Sequence, residues 1–473
     1  MTKTVIIGAG IGGLVAALLL AAAGRDVVVC EAAPGPGGKL RQVFLDNTAI
    51  DVGPTVFTLR NVFEAIFTQA GLNLADDLVL HPLDCLARHA WDDGTTLDLF
   101  ADTARNADAV GGFAGAKAAQ GYVAFAKRSR KIFETLDASF MQVPQPGMSG
   151  LLRRAGLGLL GISPFASLWD ELGRYFQDPR LRQLFARYST YCGSSPFEAP
   201  ATLMLIAHAE QLGVWRVEGG MYRLAEVFAA RAQAAGAEFH YNTAVQSILE
   251  HNGRVAGVEL ANGEQISANH VIANADIAAL DAGLFGVAAQ KAVAGMMQGA
   301  VRSLSAATWA VSGYCSGLAL AHHNVFFAAD YPLEFRALGQ GRLPVDPTVY
   351  VCAPGDGTFF VLVNAAAGAA PAEAEVEQCL TRTLQKLQKC GVKLDIRNVT
   401  MTGPGEFGAK FPATGGALYG RALTGWRDSF ARPGAKTKLP GLYLAGGSVH
   451  PGPGLPMAAI SGRTAANCVL TAA

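Results

Sequence analysis

Val5 to Gly24 (VIIGAGIGGLVAALLLAAAG) runs twenty residues without a charge, shortly after Lys3. A membrane span or a signal peptide could take such a run, and so could a buried strand, turn and helix. The glycines decide between them. Gly8, Gly10 and Gly13 stand at GxGxxG spacing between a strand over Thr4 to Ile7 and a helix over Gly12 to Ala23, with a second strand over Asp26 to Glu31. Gly8 makes the tight turn, Gly10 lets a pyrophosphate approach the backbone, and Gly13 lets helix and strand pack closely. Ala9, Ile11 and Gly12 complete a turn whose amides, at a helix amino end, face the phosphates. Glu31, eighteen residues past Gly13, ends the second strand where a carboxylate accepts from ribose hydroxyls, with Ala32 beside it. Neither a signal peptide nor a transmembrane span is expected.

A chain of 473 residues is too long for one simple core. Hydrophobic residues make up 51% and charged residues 16%, and the mean hydropathy is +0.25. That balance calls for a large buried cavity, a membrane-facing patch, or both. Zero net charge gives no sign of a nucleic-acid partner. Residues 105–187, which read as helical, nevertheless carry twelve Lys/Arg against six Asp/Glu, beside apolar residues such as Phe125, Phe133, Leu151, Leu157, Leu159, Leu160 and Phe165. Such a surface suits anionic lipid. Eight scattered cysteines form no CxxC pair, and His322 and His323, being adjacent, point apart on a strand, so no metal is expected.

A second glycine cluster, Pro34 to Arg41 (PGPGGKLR), is followed by Asp51-Val52-Gly53-Pro54-Thr55. Together they resemble the extended motif of glutathione-reductase-type flavoproteins, in the amine-oxidase and carotenoid-desaturase branch. The resemblance implies FAD, with Gly38, Lys39 and Leu40 along its diphosphate or ribityl chain, Pro54 and Thr55 nearby, and Val245 against the adenine. Short strands over Ala237 to Tyr241, Val245 to Glu250, Arg254 to Leu260 and Glu264 to Ala268, then His270 to Ala275, lead to Asp276, a cofactor neighbour or a helix cap.

Leu444 to Arg463 (LAGGSVHPGPGLPMAAISGR) is similar to the closing signature of bacterial-type carotenoid (phytoene) desaturases. Gly446 and Gly447 follow the last strand, and Pro456, Met457 and Ala458 open a final helix whose amides face the flavin. Asp51 to Arg60, Asp92 to Phe100, Tyr188 to Tyr191 and Val214 to Met221 narrow the resemblance to the hydroxyneurosporene (methoxyneurosporene) desaturase group. It implies an α/β fold: a Rossmann-like FAD-binding domain of glutathione-reductase/amine-oxidase type (1–75, 213–285, 409–473), a mixed-sheet substrate domain (76–100, 286–408) and a helical, membrane-facing cap (101–212). The activity implied is 3,4-desaturation of acyclic 1-hydroxycarotenoids in the cytoplasm, peripheral to the inner or photosynthetic membrane, with quinone or oxygen as electron acceptor. Glu218, His450 and Tyr191 are the candidates for the base. Phytoene or neurosporene desaturation, carotenoid isomerisation, amine oxidation and simple prenyl-lipid binding are the alternatives.

Overall fold

Lys3–Ile7 is the middle strand of a five-stranded parallel sheet. Across that sheet lie Leu442–Leu444, His270–Ala273, Lys3–Ile7, Asp26–Cys30 and Glu238–His240. Strands read VII, VVV and VI because both faces are covered. Ile6, Val27 and Val29 pack under the helices Ile11–Ala22, Tyr222–Ala234 and Leu455–Leu470, while Val5, Ile7 and Val28 pack under the antiparallel meander Val245–His251, Arg254–Leu260 and Gln265–Ser267. The computed structural model describes residues 2–144, 147–156, 165–368, 371 and 373–472. Leu157, Leu159 and Leu160 lie outside them.

The uncharged amino-terminal run is thus a strand and a helix. Every residue from Ile11 to Ala21 is buried, because the last helix lies on one side of this helix and Tyr222–Ala234 on another. Among the described residues no helix is long and apolar enough to cross a membrane. One expected strand sits elsewhere than its neighbours: Glu238–His240 leaves the meander and extends the parallel sheet beside Asp26–Cys30.

A second, mixed sheet of seven strands takes Cys85–Ala90 and Thr96–Phe100 from before the helical region and five strands between Ser305 and Thr402 from after it. The helix Glu373–Lys389 packs against it through Val376, Cys379 and Leu387. The helices from Thr103–Ala114 to Leu205–Gln211 follow Thr96–Phe100 in the chain and share a core with Leu97, Leu99 and Val325 of the mixed sheet. Their core is aromatic, with Phe125 and Phe185 at 4.5 Å between centroids and Phe176 stacked on Phe185 at 4.8 Å.

Candidate active site

The amino-terminal turn is built so that side chains cannot fill it. Gly8 has φ +93°, and a Cβ on Gly13 would lie 2.2 Å from the Gly8 carbonyl oxygen. Asn274 threads the same turn: its backbone amide donates to Ile7 and its Nδ2 donates to the Gly8 carbonyl at 3.2 Å. A Cβ on Gly10 or Gly12 would strike that side chain at 2.8 or 2.7 Å. Glu31 accepts from the amides of Ala9 at 2.6 Å and Ala33 at 2.8 Å, which fixes its carboxylate across the turn with lone pairs left for a ribose. The carboxyl-terminal helix closes the cradle by packing so tightly that a Cβ on Gly462 would lie 2.1 Å from the Gly12 carbonyl oxygen.

A cavity of about 1100 Å³ runs from this cradle into the helical region. Its wall takes in Gly8, Gly10, Ile11, Gly12, Glu31, Ala32, Gly38, Lys39, Leu40, Pro54, Thr55 and Val245, and from the other end of the chain Gly446, Gly447, Pro456, Met457 and Ala458. Ala9 and Gly13 stand behind the wall, where they shape the turn. Lys39 donates to the Leu418 carbonyl with its ammonium 5.3 Å from the Phe411 ring, and burial pushes its pKa down against the pull of Asp276. Asp276 is both cavity wall and cap, accepting from the Ala278 amide at 3.0 Å. Asp51 lies off the wall and accepts from the amide of Met221 at 2.6 Å, and Gly220 is needed there because a Cβ would meet that carboxylate at 2.4 Å.

The three candidates for the base separate in space. Glu218 is 61% exposed on the surface, 2.8 Å from His81, and does not reach the cavity. His450 lies behind Pro451, and its Nε2 donates to the Phe140 carbonyl at 2.8 Å. Burial pushes the His450 pKa down to about 4, so the ring is neutral and ties the carboxyl-terminal loop to the helical cap. Tyr191 is in the wall. Its Oη donates to Glu210 Oε1 at 2.6 Å and accepts from Arg187 Nη1 at 2.7 Å, and Tyr188 donates to Glu210 Oε2 at 2.8 Å. Burial first, then Glu210, raises the pKa of the Tyr191 phenol. Arg187 and Glu210 line the cavity with it.

One further detail departs from expectation. His322 precedes the strand that begins at His323, so strand alternation does not separate the pair, and their rings stand 4.6 Å apart. Cys352 Sγ lies 3.7 Å from His322 Nε2, while Tyr350 links His323 Nδ1 at 2.7 Å to Thr55 in the cavity wall at 2.6 Å.

The family described as Flavin containing amine oxidoreductase matches residues 11–470. The chain belongs to this family. Within it, the chain is 46% identical to the hydroxyneurosporene desaturase of Rubrivivax gelatinosus, over 99% of this chain and 93% of that one. It is 41% identical to the hydroxyneurosporene desaturase of Cereibacter sphaeroides, over 99% and 97%. These relatives place it among the carotenoid desaturases of the family. An oxidoreductase from Methanosarcina mazei shares the fold, with a TM-score of 0.65 at 16% identity over 98% of this chain and 99% of that one. The cofactor of this flavin oxidoreductase is FAD. The cradle fits it: glycines where a Cβ would close the phosphate path, a fixed carboxylate for the ribose, and a cation at Lys39.

Three residues that build this desaturase site are not visible in its motifs. Arg432 is buried and donates to the carbonyls of Tyr419, Gly447 and Arg421, holding the Gly446-Gly447 turn against the loop before it. Arg187 and Glu210 come from separate helical segments. A carboxylate within LIAHAEQ, with Ile206 and Ala207 one turn before it, is a sequence signal that could have marked Glu210.

Proposed function

We propose that this desaturase introduces the 3,4 double bond into acyclic 1-hydroxycarotenoids such as 1-hydroxyneurosporene. The observation that carries the reading is a cavity that joins the FAD cradle to an apolar chamber in the helical region, with the buried Arg187–Tyr191–Glu210 cluster on its wall. The 46% identical relative is named for the same class of substrate.

When bound, FAD supplies a two-electron acceptor for the hydride removed from one saturated carbon. Hydride loss leaves positive charge spread into the polyene, which makes the proton on the neighbouring carbon acidic, so a weak base suffices. Tyr191 and Glu210 take that role. The Tyr191 oxygen keeps one lone pair beyond the bond from Arg187; it accepts the substrate proton there while passing its own to Glu210. Leu203, Ile206 and Ala209 in the same wall exclude water and hold the chain in line.

Substrate reaches the chamber from lipid at the helical cap. Phe165 is 78% exposed and also lines the cavity, stacked edge-on to Trp426 at 5.4 Å. The protein works as a peripheral membrane enzyme on the cytoplasmic face, and quinone or oxygen reoxidises the flavin.

The test supplies FAD-loaded protein to liposomes carrying 1-hydroxyneurosporene, neurosporene or phytoene, with added quinone or air. The hydroxylated substrate loses two hydrogens and its visible spectrum shifts to the red. Conversion of phytoene without the hydroxylated substrate overturns the assignment, and a spectral change at constant mass marks an isomerase. Oxidation of an amine in place of every polyene marks an amine oxidase.

A further inference from the structure

Arg187 is 6% exposed, lines the cavity, and its Nε and Nη2 meet no acceptor among the described residues. Only Nη1 is used, in the bond to Tyr191. A buried guanidinium with two unmet donors at the wall of an apolar chamber is costly unless something delivered to the chamber accepts from it.

The charge around it narrows what that is. Glu210, held by Tyr188 and Tyr191, neutralises Arg187 through the shared Tyr191 hydroxyl. His89 and His323, which face the guanidinium from the mixed sheet, have pKa values driven far down by burial and carry no charge, and Tyr331 on that side stays a neutral phenol. The cluster as a whole is neutral, so a carboxylate or phosphate would meet Glu210 without compensation, and an ammonium would meet Arg187. A neutral oxygen fits. A hydroxyl accepts from Arg187 and has its own proton to give to the lone pairs left on Glu210.

We propose that Arg187 and Glu210 form a recognition subsite for the oxygen at the end of the polyene, so that it is this pair that makes the enzyme select hydroxylated carotenoids. The inference rests on the reading of the substrate class above. It differs from the proton-accepting role of Tyr191 in what it predicts: removing the base slows every substrate alike and leaves their ratio unchanged, whereas removing Arg187 lowers the ratio of oxygenated to plain substrate.

The experiment compares kcat/KM for 1-hydroxyneurosporene and neurosporene in liposomes, with FAD-loaded wild type, Arg187→Met and Arg187→Lys. Wild type prefers the hydroxylated substrate on the order of 10⁴-fold, as a site with buried partners for a hydroxyl does. Arg187→Met erases that preference: loss of the bond to Tyr191 slows both substrates, and the hydroxylated one is slowed further, by the size of the wild-type preference, while Arg187→Lys restores part of the ratio. Equal slowing of both substrates, or an unchanged ratio, overturns the subsite and leaves Arg187 a structural partner of Glu210. Retained flavin absorbance and Tm show that the variants fold. A second measurement needs no variant: binding to wild type of 1-methoxyneurosporene, whose oxygen accepts but cannot donate, is tighter than that of neurosporene, and equal binding of neurosporene and 1-hydroxyneurosporene overturns the proposal. Wild type that converts only phytoene, or nothing, overturns the substrate class instead, so the two failures are distinguishable.

Discussion

One methyl group separates a cradle from a blocked turn. Gly13→Ala puts a carbon 2.2 Å from the Gly8 carbonyl oxygen, a backbone atom that cannot swing away, with the Asn274 side chain 3.1 Å off. We expect a cost of about 1–3 kcal/mol or more and loss of bound FAD, read from Tm and from flavin retained on purification. Gly112→Ala is the contrast: no atom lies within 4 Å of the added carbon inside the helix Thr103–Ala114, so the substitution raises stability by roughly 0.4–1 kcal/mol. Tyr191→Phe keeps the ring and removes the hydroxyl. Its kcat falls about 10²–10⁴-fold on hydroxylated and plain substrates alike, with FAD retained. At this scale the glycine turn was legible because its residues act through local spacing: Glu31 accepts from the turn's Ala9 amide, and the glycines stand where a Cβ would clash. The catalytic half was not. Glu218 follows a promising Trp215-Arg216-Val217, yet pairing of that strand with Leu80–Pro82 turns it outward to His81, and no spacing rule reveals such a partner.

Elements meet in this chain through contacts far apart in sequence, and the His450 bond to Phe140, 310 residues away, is one that pH can probe. Burial lowers the folded-state pKa of His450 to about 4 from 6.5. Between those values the unfolded chain binds the proton and the folded protein does not, so stability is full above pH 6.5 and is lost as pH falls toward 4. The magnitude is about 3 kcal/mol for this group. His450→Gln keeps an N–H for the Phe140 carbonyl and removes the titration. Its denaturation midpoint therefore changes less than that of wild type across the window, and an unchanged slope would assign the acid limb to His89, His322 and His323, whose pKa values burial also lowers. Strand legibility divides along similar lines. Lys3–Ile7 and Asp26–Cys30 are β-branched runs and read plainly, whereas Ser305–Gly317, thirteen residues of SAATWAVSGYCSG, holds its place through two long antiparallel neighbours, Thr358–Ala365 and Val392–Thr402, despite small residues with little strand preference of their own.

At the scale of the whole molecule, the basic excess of the helical region turns out to be partly paired with carboxylates and partly buried. Arg105 pairs with Asp84, Arg180 with Asp178 and Asp93, and Arg187 is buried at the active site, so the count of charges alone overstated the surface. What faces outward is narrower. On Ala116–Leu136, Val123 is 49% exposed, and Lys127 and Lys131 follow it one and two turns along, exposed and in no ion pair among the described residues. Phe165 and Trp426 meet at the cavity wall with Phe165 largely exposed, and a mouth of that kind set against lipid lets a polyene pass from bilayer to chamber without crossing water. Each basic residue near an anionic membrane contributes about 1 kcal/mol. Replacing Lys127 and Lys131 together by Gln should therefore weaken binding to anionic liposomes by about 2 kcal/mol, roughly 30-fold, with wild-type binding itself falling as salt is raised. Cosedimentation measures the first, and the rate on detergent-dispersed substrate separates docking from chemistry. If the double variant converts dispersed substrate at the wild-type rate but slows on liposomes, the stripe is the docking face; equal binding to liposomes would place the membrane contact on another side of the molecule.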